Sequence, residues 1–562
     1  MLSARRQELG QPFATKLKMM HSIRRDIVNF RRIHCVDVNP HCRVRSSLGF
    51  GKWNLSLLAI LGVCAQVAPA QAEEPRTAKE PRLMAESTEI TQVADAFDDD
   101  DPIDVNLSLG YMYSSRSADI LRESATSDGL YTRSTGKIAE YKESTHRLLT
   151  RAEIGIFHDV SLIVRMPIIL DNSQSLGDYS GSGTQRDALR GNVGEQLFSL
   201  PFSSPSRSGI EYLALGLDIG LMNQYRDHTK PTWMAGVETR FSVSPAMRAC
   251  NDHPALGQVK CAAPGDIDRN GRQSDAQAVS NPRLGLSNPE GHPLEGPVSS
   301  RKPGVSRGTT GLELHTYLSK RIKYIEPYGG IRMLVEFSNS NSDYGASDLR
   351  GNLVNHPPLR GTILTGLAVI PYEVRSDYQR LTFDFRLEGT YVSEGRDYNE
   401  LSDALGSSDA RSIRMPNYTG YTAPTAAQLT ANPTVTSYID PNSQRVFFTG
   451  LLDTQQYIVT RYSAAATFQL NKYIKFSFGT ALNHVQSHFL TFDQPCNANL
   501  SGSLQEAGPC RGKSDYTNAN SPWTPTGIPN PNYRPVINAP GRRFLVDGSS
   551  GFDGWISATA MF

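Results

Sequence analysis

The chain has 562 residues, and its 57 Lys and Arg against 56 Asp and Glu leave a formal net charge of +1, so it lacks the basic excess that binding nucleic acid requires. Mean hydropathy is −0.38, 39% of residues are hydrophobic, and one apolar stretch alone, near the N-terminus, approaches the length of a membrane helix. A bundle of membrane helices is thereby excluded, while length by itself permits several domains.

The first element in chain order is an export signal, assigned to residues 1–72. A basic region, RRDIVNFRRIHCVDVNPHCRVRSSLGFGK, precedes WNLSLLAILGVCAQVAPAQA and then the acidic EEPR. The apolar core from Leu55 to Val67, followed by Ala70 and Ala72 flanking Gln71, resembles a secretory signal peptide with an A-x-A site, and cleavage is expected after Ala72. The core is too short to serve comfortably as an anchor. Val63 stands where a lipoprotein signal at Cys64 wants a small residue. The unusual length of the leader points to a translation start downstream of Met1.

Residues 73–102 form an acidic N-terminal segment, and the acidic run DAFDDDDPID leads from it into the first strand. It reads as a solvated periplasmic tether ahead of the first strand, with a short plug or docking segment as the other reading.

From Ile103 to Phe562 two kinds of text alternate. In IDVNLSLGYMY, Ile103, Val105, Leu107, Leu109, Tyr111 and Tyr113 share one face, and Asp104, Asn106, Ser108 and Gly110 the other, the period of two of a strand. The same pattern recurs at about 148–156, 162–170, 212–222, 232–243, 310–319, 324–337, 361–370, 379–391, 457–470, 474–485 and 552–562. These twelve strands are joined by connections that are alternately short and long, the long ones at about 114–145, 171–211, 244–309, 338–360, 392–456 and 486–551.

A β-sandwich has no physical reason to make every second connection long. Strands that cross a membrane in alternate directions do, because successive connections lie on opposite sides. The expected fold is therefore all-β: a single antiparallel transmembrane β-barrel of about 12 strands with short periplasmic turns and long extracellular loops. A hairpin hidden in 244–309 or 392–456 would raise the count to 14. The last strand, GWISATAMF, is expected to pair with the first, placing Ile556, Ala558, Ala560 and Phe562 toward lipid and abolishing both sheet edges.

The apolar faces then look at lipid and the polar faces at a lumen. Those polar faces carry Arg151, Glu153, Arg165, Asp218, Glu238, Arg240, Glu313, His315, Glu326, Arg332, Glu336, Asp384, Arg386 and Glu388. Opposite charges alternate within RAE, VETR and DFRLE, so structural pairing inside the lumen is favoured over a substrate-selecting ring. Aromatic residues near strand ends, among them Tyr111, Tyr113, Trp233, Tyr391 and Trp555, suit the membrane interfaces.

Three of seven cysteines leave with the leader. Cys250 with Cys261, and Cys496 with Cys510, read as two loop-closing disulfides of an exported protein; metal ligation is the alternative, unsupported by any CxxC spacing.

Taken together, the export signal, the alternating strands and the terminal strand ending in Phe562 resemble Gram-negative outer-membrane β-barrel proteins. The resemblance implies a surrounding of outer-membrane lipid, periplasmic N- and C-termini, and recognition of Phe562 as an assembly signal by the barrel-assembly machinery. More narrowly, AEIGIFHDVSLIVRMPIIL and GLDIGLMNQY look like the hairpin text of outer-membrane transporters associated with phenol-degradation pathways, which implies passage of a small or apolar solute.

Other chemistry weighs less. GDIDRNGRQSD offers Asp266, Asp268, Asn270 and Asp275 as a calcium loop, but Gln277 replaces the bidentate Glu of an EF-hand, and a plain polar turn is favoured. No other cofactor is expected. NHVQSH holds Asn483, His484, Ser487 and His488, yet its spacing differs from the H-x-S pattern of outer-membrane phospholipases, so a hydrolase is disfavoured. Little mature chain is left for an autotransporter passenger. The expected function is an outer-membrane channel for passive, selective passage of small solutes. The alternative is a surface receptor, adhesin or structural protein that uses the barrel as an anchor.

Overall fold

In the computed structural model twelve strands form one closed antiparallel wall: β1 (Val105–Arg122), β2 (Lys137–Phe157), β3 (Val160–Arg165, resuming as Ile168–Asp178), β4 (Leu213–Met222), β5 (Thr232–Phe241), β6 (Thr309–Ser319), β7 (Ile325–Ser338), β8 (Arg360–Val374), β9 (Gln379–Val392), β10 (Tyr457–Gln469), β11 (Ile474–Val485) and β12 (Phe544–Met561). The structure describes residues 82–85, 87–97, 103–125, 131–132, 136–179, 189–191, 195–253, 258–263, 296–298, 302–339, 342–344, 354, 356–408, 410–414, 448–497, 504–507, 510–529 and 533–562. The export signal and the calcium-loop candidates Asp266, Asp268, Asn270 and Asp275 lie outside them.

Each strand pairs with the next, and β12 returns to β1 with Leu107 opposite Ala560 and Tyr111 opposite Ile556. Closure satisfies the backbone groups that a sheet edge would leave bare in hydrocarbon. The alternation of side chains then decides what each surface offers. Leu107, Leu109, Ile331, Ile363, Phe385, Phe478, Leu482 and Ile556 are exposed on the outside, an apolar band that a water-soluble barrel would not carry. Among the described residues no helix is long and apolar enough to cross a membrane.

Three strands run well beyond the lengths expected from alternation: β1 and β12 have 18 residues each and β2 has 21. The reason lies at Tyr111, whose hydroxyl is 2.6 Å from His146 Nδ1, with Tyr113 packed beside the same imidazole. Past this interface pair the outward rows turn polar, as Ser115, Ser117 and Asp119 on β1 and Lys142 and Ser144 on β2. The ladder continues to Arg122 opposite Phe544 because backbone pairing needs no apolar side chain. The alternation signal stops where the outer face meets water.

The long connections are folded as well. Gly395–Asp397 pairs with Leu452–Thr454, and His488–Thr491 joins the latter to β12, which raises the rim locally without adding a crossing. Cys250–His253, Gln258–Ala263 and Gly296–Val298 form a sheet of their own, apart from the wall. Among the described residues, both long loops thus contain paired strands of their own, and the barrel has twelve crossing strands. Cys250 is disulfide-bonded to Cys261, and Cys496 to Cys510.

Candidate functional site

Of the fourteen polar-face residues, Arg151, Glu153, Arg165, Asp218, Glu238, Arg240, Glu313, His315, Arg332, Glu336, Asp384, Arg386 and Glu388 lie on inward rows with Glu326, alternating with exposed apolar neighbours such as Leu314, Met333, Phe383, Phe385 and Leu387. They form two groups. On β3 to β6, Arg165 Nε donates to Glu238 at 2.6 Å, Arg240 Nε to the other oxygen of Glu238 at 3.0 Å, and Arg240 Nη2 to Glu313. His315 Nε2 lies 3.0 Å from Asp218 Oδ1 and its ring stacks on Tyr317. The Asp218–His315 contact passes in front of Gly236, where a Cβ would sit 2.0 Å from Asp218 Oδ1.

On β7 to β12, the Tyr328 hydroxyl donates to Asp384 at 2.7 Å and accepts from Arg386 Nε at 3.0 Å. Glu388 lies 3.7 Å from Arg386 and 3.8 Å from Arg332. Arg461 pairs with Asp553, which also accepts from Asn483 at 2.9 Å. Opposite charges are matched throughout, which limits the penalty of holding them in a confined space.

One end of this lumen, the short-turn end, is filled by the chain itself. Met84, Val93 and Ala96 are buried. Glu326 accepts the Ser87 and Thr88 N–H groups at 2.9 and 3.2 Å, Glu153 accepts Ala94 N–H at 3.0 Å, and Thr91 Oγ1 meets Ser319 Oγ at 2.9 Å. The Met84 carbonyl accepts from Arg321 and Arg380. Ile90 and Val93 pack on Met234, Tyr317, Tyr328 and Leu364, all inward residues of the wall. At Gly155 an added Cβ would stand 2.1 Å from the Asp95 carbonyl oxygen, so glycine is what allows the segment to lie against β2. The stretch 84–97 thus packs inside the wall as a plug, whereas residues 98–102 of the acidic run read as a tether lie outside the described residues. The wall residues that hold the plug's backbone lie 59 to 296 residues away.

At the other end the long loops close over the wall around a hydrophobic core. Leu401, Leu405 and Ile413 from the connection after β9, Phe492 and Val536 from the connection after β11, and Leu197 from the connection after β3 pack on Ile120, Tyr141 and Phe544 at the tops of β1, β2 and β12. Buried charges tie the layer down. Asp397 accepts from Tyr344 at 2.6 Å and faces Arg307 at 2.9 Å and Arg360 at 3.3 Å. Burial alone would raise its pKa, yet Arg307 and Arg360 hold it below the usual carboxylate range. Arg207 reaches Asp403 at 2.6 Å, and Arg116 of the wall pairs with Glu400 of the loop.

Between the closures a cavity of about 230 Å³ opens between β1, β2, β11 and β12, lined by Arg116, Glu143, Arg147, Asn483 and Asp553 among others. None of these five is among the fourteen polar-face residues named from the sequence. Asp553 and Asn483 were already on inward rows of expected strands and were legible there. Arg147 opens the expected strand RLLTRAEIGI, whereas Arg116 and Glu143 fall beyond the stretch where alternation marks a strand.

The residues of NHVQSH do not converge. Asn483 is held by Asp553, His484 is exposed on the outer row, Ser487 donates to Asp547, and buried His488 stacks on Tyr457. Among the described residues no three His, Cys, Asp or Glu side chains are grouped to hold a metal ion.

An apolar outside, closed pairing and a charged interior decide the class. The fold is that of an outer-membrane β-barrel. No family model matches the chain, and no curated protein does. Solved structures with a similar trace include an outer membrane channel of Pseudomonas putida F1 (8% identity, 81% of this chain and 95% of that one, TM-score 0.28) and the P. putida toluene transporter TodX (10% identity, 82% and 90%, TM-score 0.23). The outer membrane protease OmpT of Escherichia coli is another (8% identity, 82% and 96%, TM-score 0.20).

Proposed function

We propose that this protein is an outer-membrane channel for small solutes, closed at rest by the 84–97 plug at a periplasmic face and by the folded loops at the cell surface. The observation that carries the reading is the pairing inside the lumen. A barrel used only as an anchor gains nothing from lining its interior with half-buried guanidinium groups such as Arg165 and Arg332, and from leaving a cavity of about 230 Å³ beside Arg116 and Arg147. Eight-stranded barrels are filled by their own side chains and those of 16 to 18 strands are open, so twelve strands suit a narrow passage that a short segment can stop.

The short turns, both termini of the barrel and the plug belong on the periplasmic side in this reading, and the disulfide-bonded loops outside. The barrel-assembly machinery acts on β12 with Phe562. The test is conductance of the full chain in planar bilayers beside a variant lacking residues 84–96. The shortened protein conducts more frequently, and a folded variant with no conductance overturns the channel.

One observation favours the alternative of a surface receptor or adhesin: the loops have a continuous core, more order than the lip of a pore requires. Trimming them separates the readings, since a channel keeps conducting and a receptor loses its ligand.

A further inference from the structure

The ion pairs inside the wall share an asymmetry. Arg165 is 31% exposed and its partner Glu238 only 3%. Arg461 is 29% exposed against 9% for Asp553, and Arg116 32% against 2% for Glu400. Arg332 beside Glu388, and Arg240 beside Glu313, follow the same order. The physical cause is reach: a carboxylate on a short stem lies against the wall, while the longer guanidinium folds over it and keeps its outer edge in the water-filled space. A formally balanced lumen therefore shows a passing solute mostly cations. The order inverts at the plug, where Glu89 is more exposed than Lys475, and at the upper end of β2, where Asp119 is more exposed than Lys137.

The cavity between the closures concentrates this effect. Its two carboxylates are already engaged: Glu143 accepts from Asn172 at 2.9 Å and from the Tyr141 hydroxyl at 3.1 Å, and Asp553 is held by Arg461 and Asn483. Arg116 and Arg147 stand on neighbouring strands, facing the same space. Arg147 is tied at 3.0 Å to Glu211, and the two are about equally exposed. Guanidinium groups bind planar oxyanions through paired N–H donors. Low-dielectric walls strengthen the attraction relative to water.

We propose that this lumen selects for small oxyanions, and that the Arg116–Arg147 cavity is the site at which a carboxylate or phosphate group rests between the plug and the loops. The proposal rests on the channel reading and names its substrate class. Each of the four strands around the cavity brings a charged or amide side chain, beside the apolar Val485, so a solute that carries an anionic group on a small apolar body suits it.

The experiment uses the full chain, refolded and checked for heat-modifiable mobility, in two arms. In the binding arm, benzoate, inorganic phosphate and the neutral analogue benzyl alcohol are titrated calorimetrically. Benzoate or phosphate binding saturably, with benzyl alcohol at least tenfold weaker, supports the proposal; which of the two anions binds separates organic acids from phosphate. The double variant Arg116→Gln plus Arg147→Gln is expected to lose at least tenfold in affinity. Because Arg116→Gln frees buried Glu400, Arg147→Gln alone is the second variant and loses several-fold. Equal binding of benzoate and benzyl alcohol, or of wild type and both variants, overturns the proposal. In the conductance arm, a tenfold KCl gradient gives a reversal potential favouring chloride, shifted toward zero by Arg332→Gln. Preference for potassium overturns anion selection while leaving the channel intact, whereas binding without any conductance upholds the oxyanion site and overturns the channel.

Discussion

Val105 and Phe562 exchange two backbone hydrogen bonds, each N–H donating to the other's carbonyl at 2.9 Å. This pair is the lowest rung of the β1–β12 seam, and it joins the first strand to the last across the whole sequence. Removing Phe562 deletes both bonds and leaves the Val105 N–H and C=O as an edge in the apolar layer. We expect the variant lacking Phe562 to accumulate less folded barrel in outer membranes, read as loss of the heat-modifiable band. Normal amounts would count against both the seam and the assembly role given to this residue.

Glu326 holds the plug from one wall through the backbone of Ser87 and Thr88. Glu326→Ala leaves both N–H groups without that acceptor at a cost of about 1–3 kcal/mol for each buried donor. The plug should be cut faster by protease added to the short-turn side, and channel openings should become more frequent. Unchanged proteolysis would mean that the remaining contacts, at Glu153 and Arg321, hold it alone.

Gly236 leaves room for the bond between Asp218 and His315. A methyl group there would meet His315 Nε2 at 2.3 Å. Gly236→Ala must displace the imidazole or bend β5, an overpacking change of about 1–3 kcal/mol. The unfolding midpoint in detergent should fall, while Gly361→Ala, with open space around its Cβ position, should leave it nearly unchanged.

The loop layer carries its own pH response. Burial pushes the Asp453 carboxyl up to about 7, against the pull of Arg396 and with the help of Asp493. An unfolded Asp titrates near 3.9, so between about pH 4 and 7 the folded protein holds a proton that the unfolded chain has released. Stability therefore falls as pH rises through that window and levels off above it. Asp453→Asn should flatten the dependence measured by thermal unfolding between pH 5 and 8. An identical slope in the variant would assign the response to other groups.

The disulfide between Cys250 and Cys261 closes a chain separation of 11 residues next to the Cys250 N–H donated to Asp403 at 2.9 Å. Replacing both cysteines by serine releases about 3 kcal/mol of loop-closure constraint by the chain-entropy argument. The expected result is faster amide exchange in the outer loops with an unchanged barrel midpoint.

The wall was legible from residues alone for a simple reason. A strand between lipid and a polar lumen must alternate, and the order of short and long connections must follow the two sides of the membrane. Hence the twelve strands, the inward position of residues such as Arg165 and Asp384, and the outward position of Ile556 are all present in the local text. The sequence also held the cysteine pairs, because partners 11 and 14 residues apart meet locally.

Tertiary structure alone decided the rest. That residues 84–97 turn back into the lumen depends on Glu326 and Glu153, which no local pattern links to Ser87 or Ala94. The upper reaches of β1, β2 and β12 escaped the lipid-facing pattern because their outward rows are polar, while Ile120, Tyr141 and Phe544 pack against the hydrophobic core of the loops. The exposure of arginines over their buried acids is invisible in a count of charges, since 57 basic and 56 acidic groups balance on paper. What a solute meets depends on which partner of each pair faces the space, and only folding determines that.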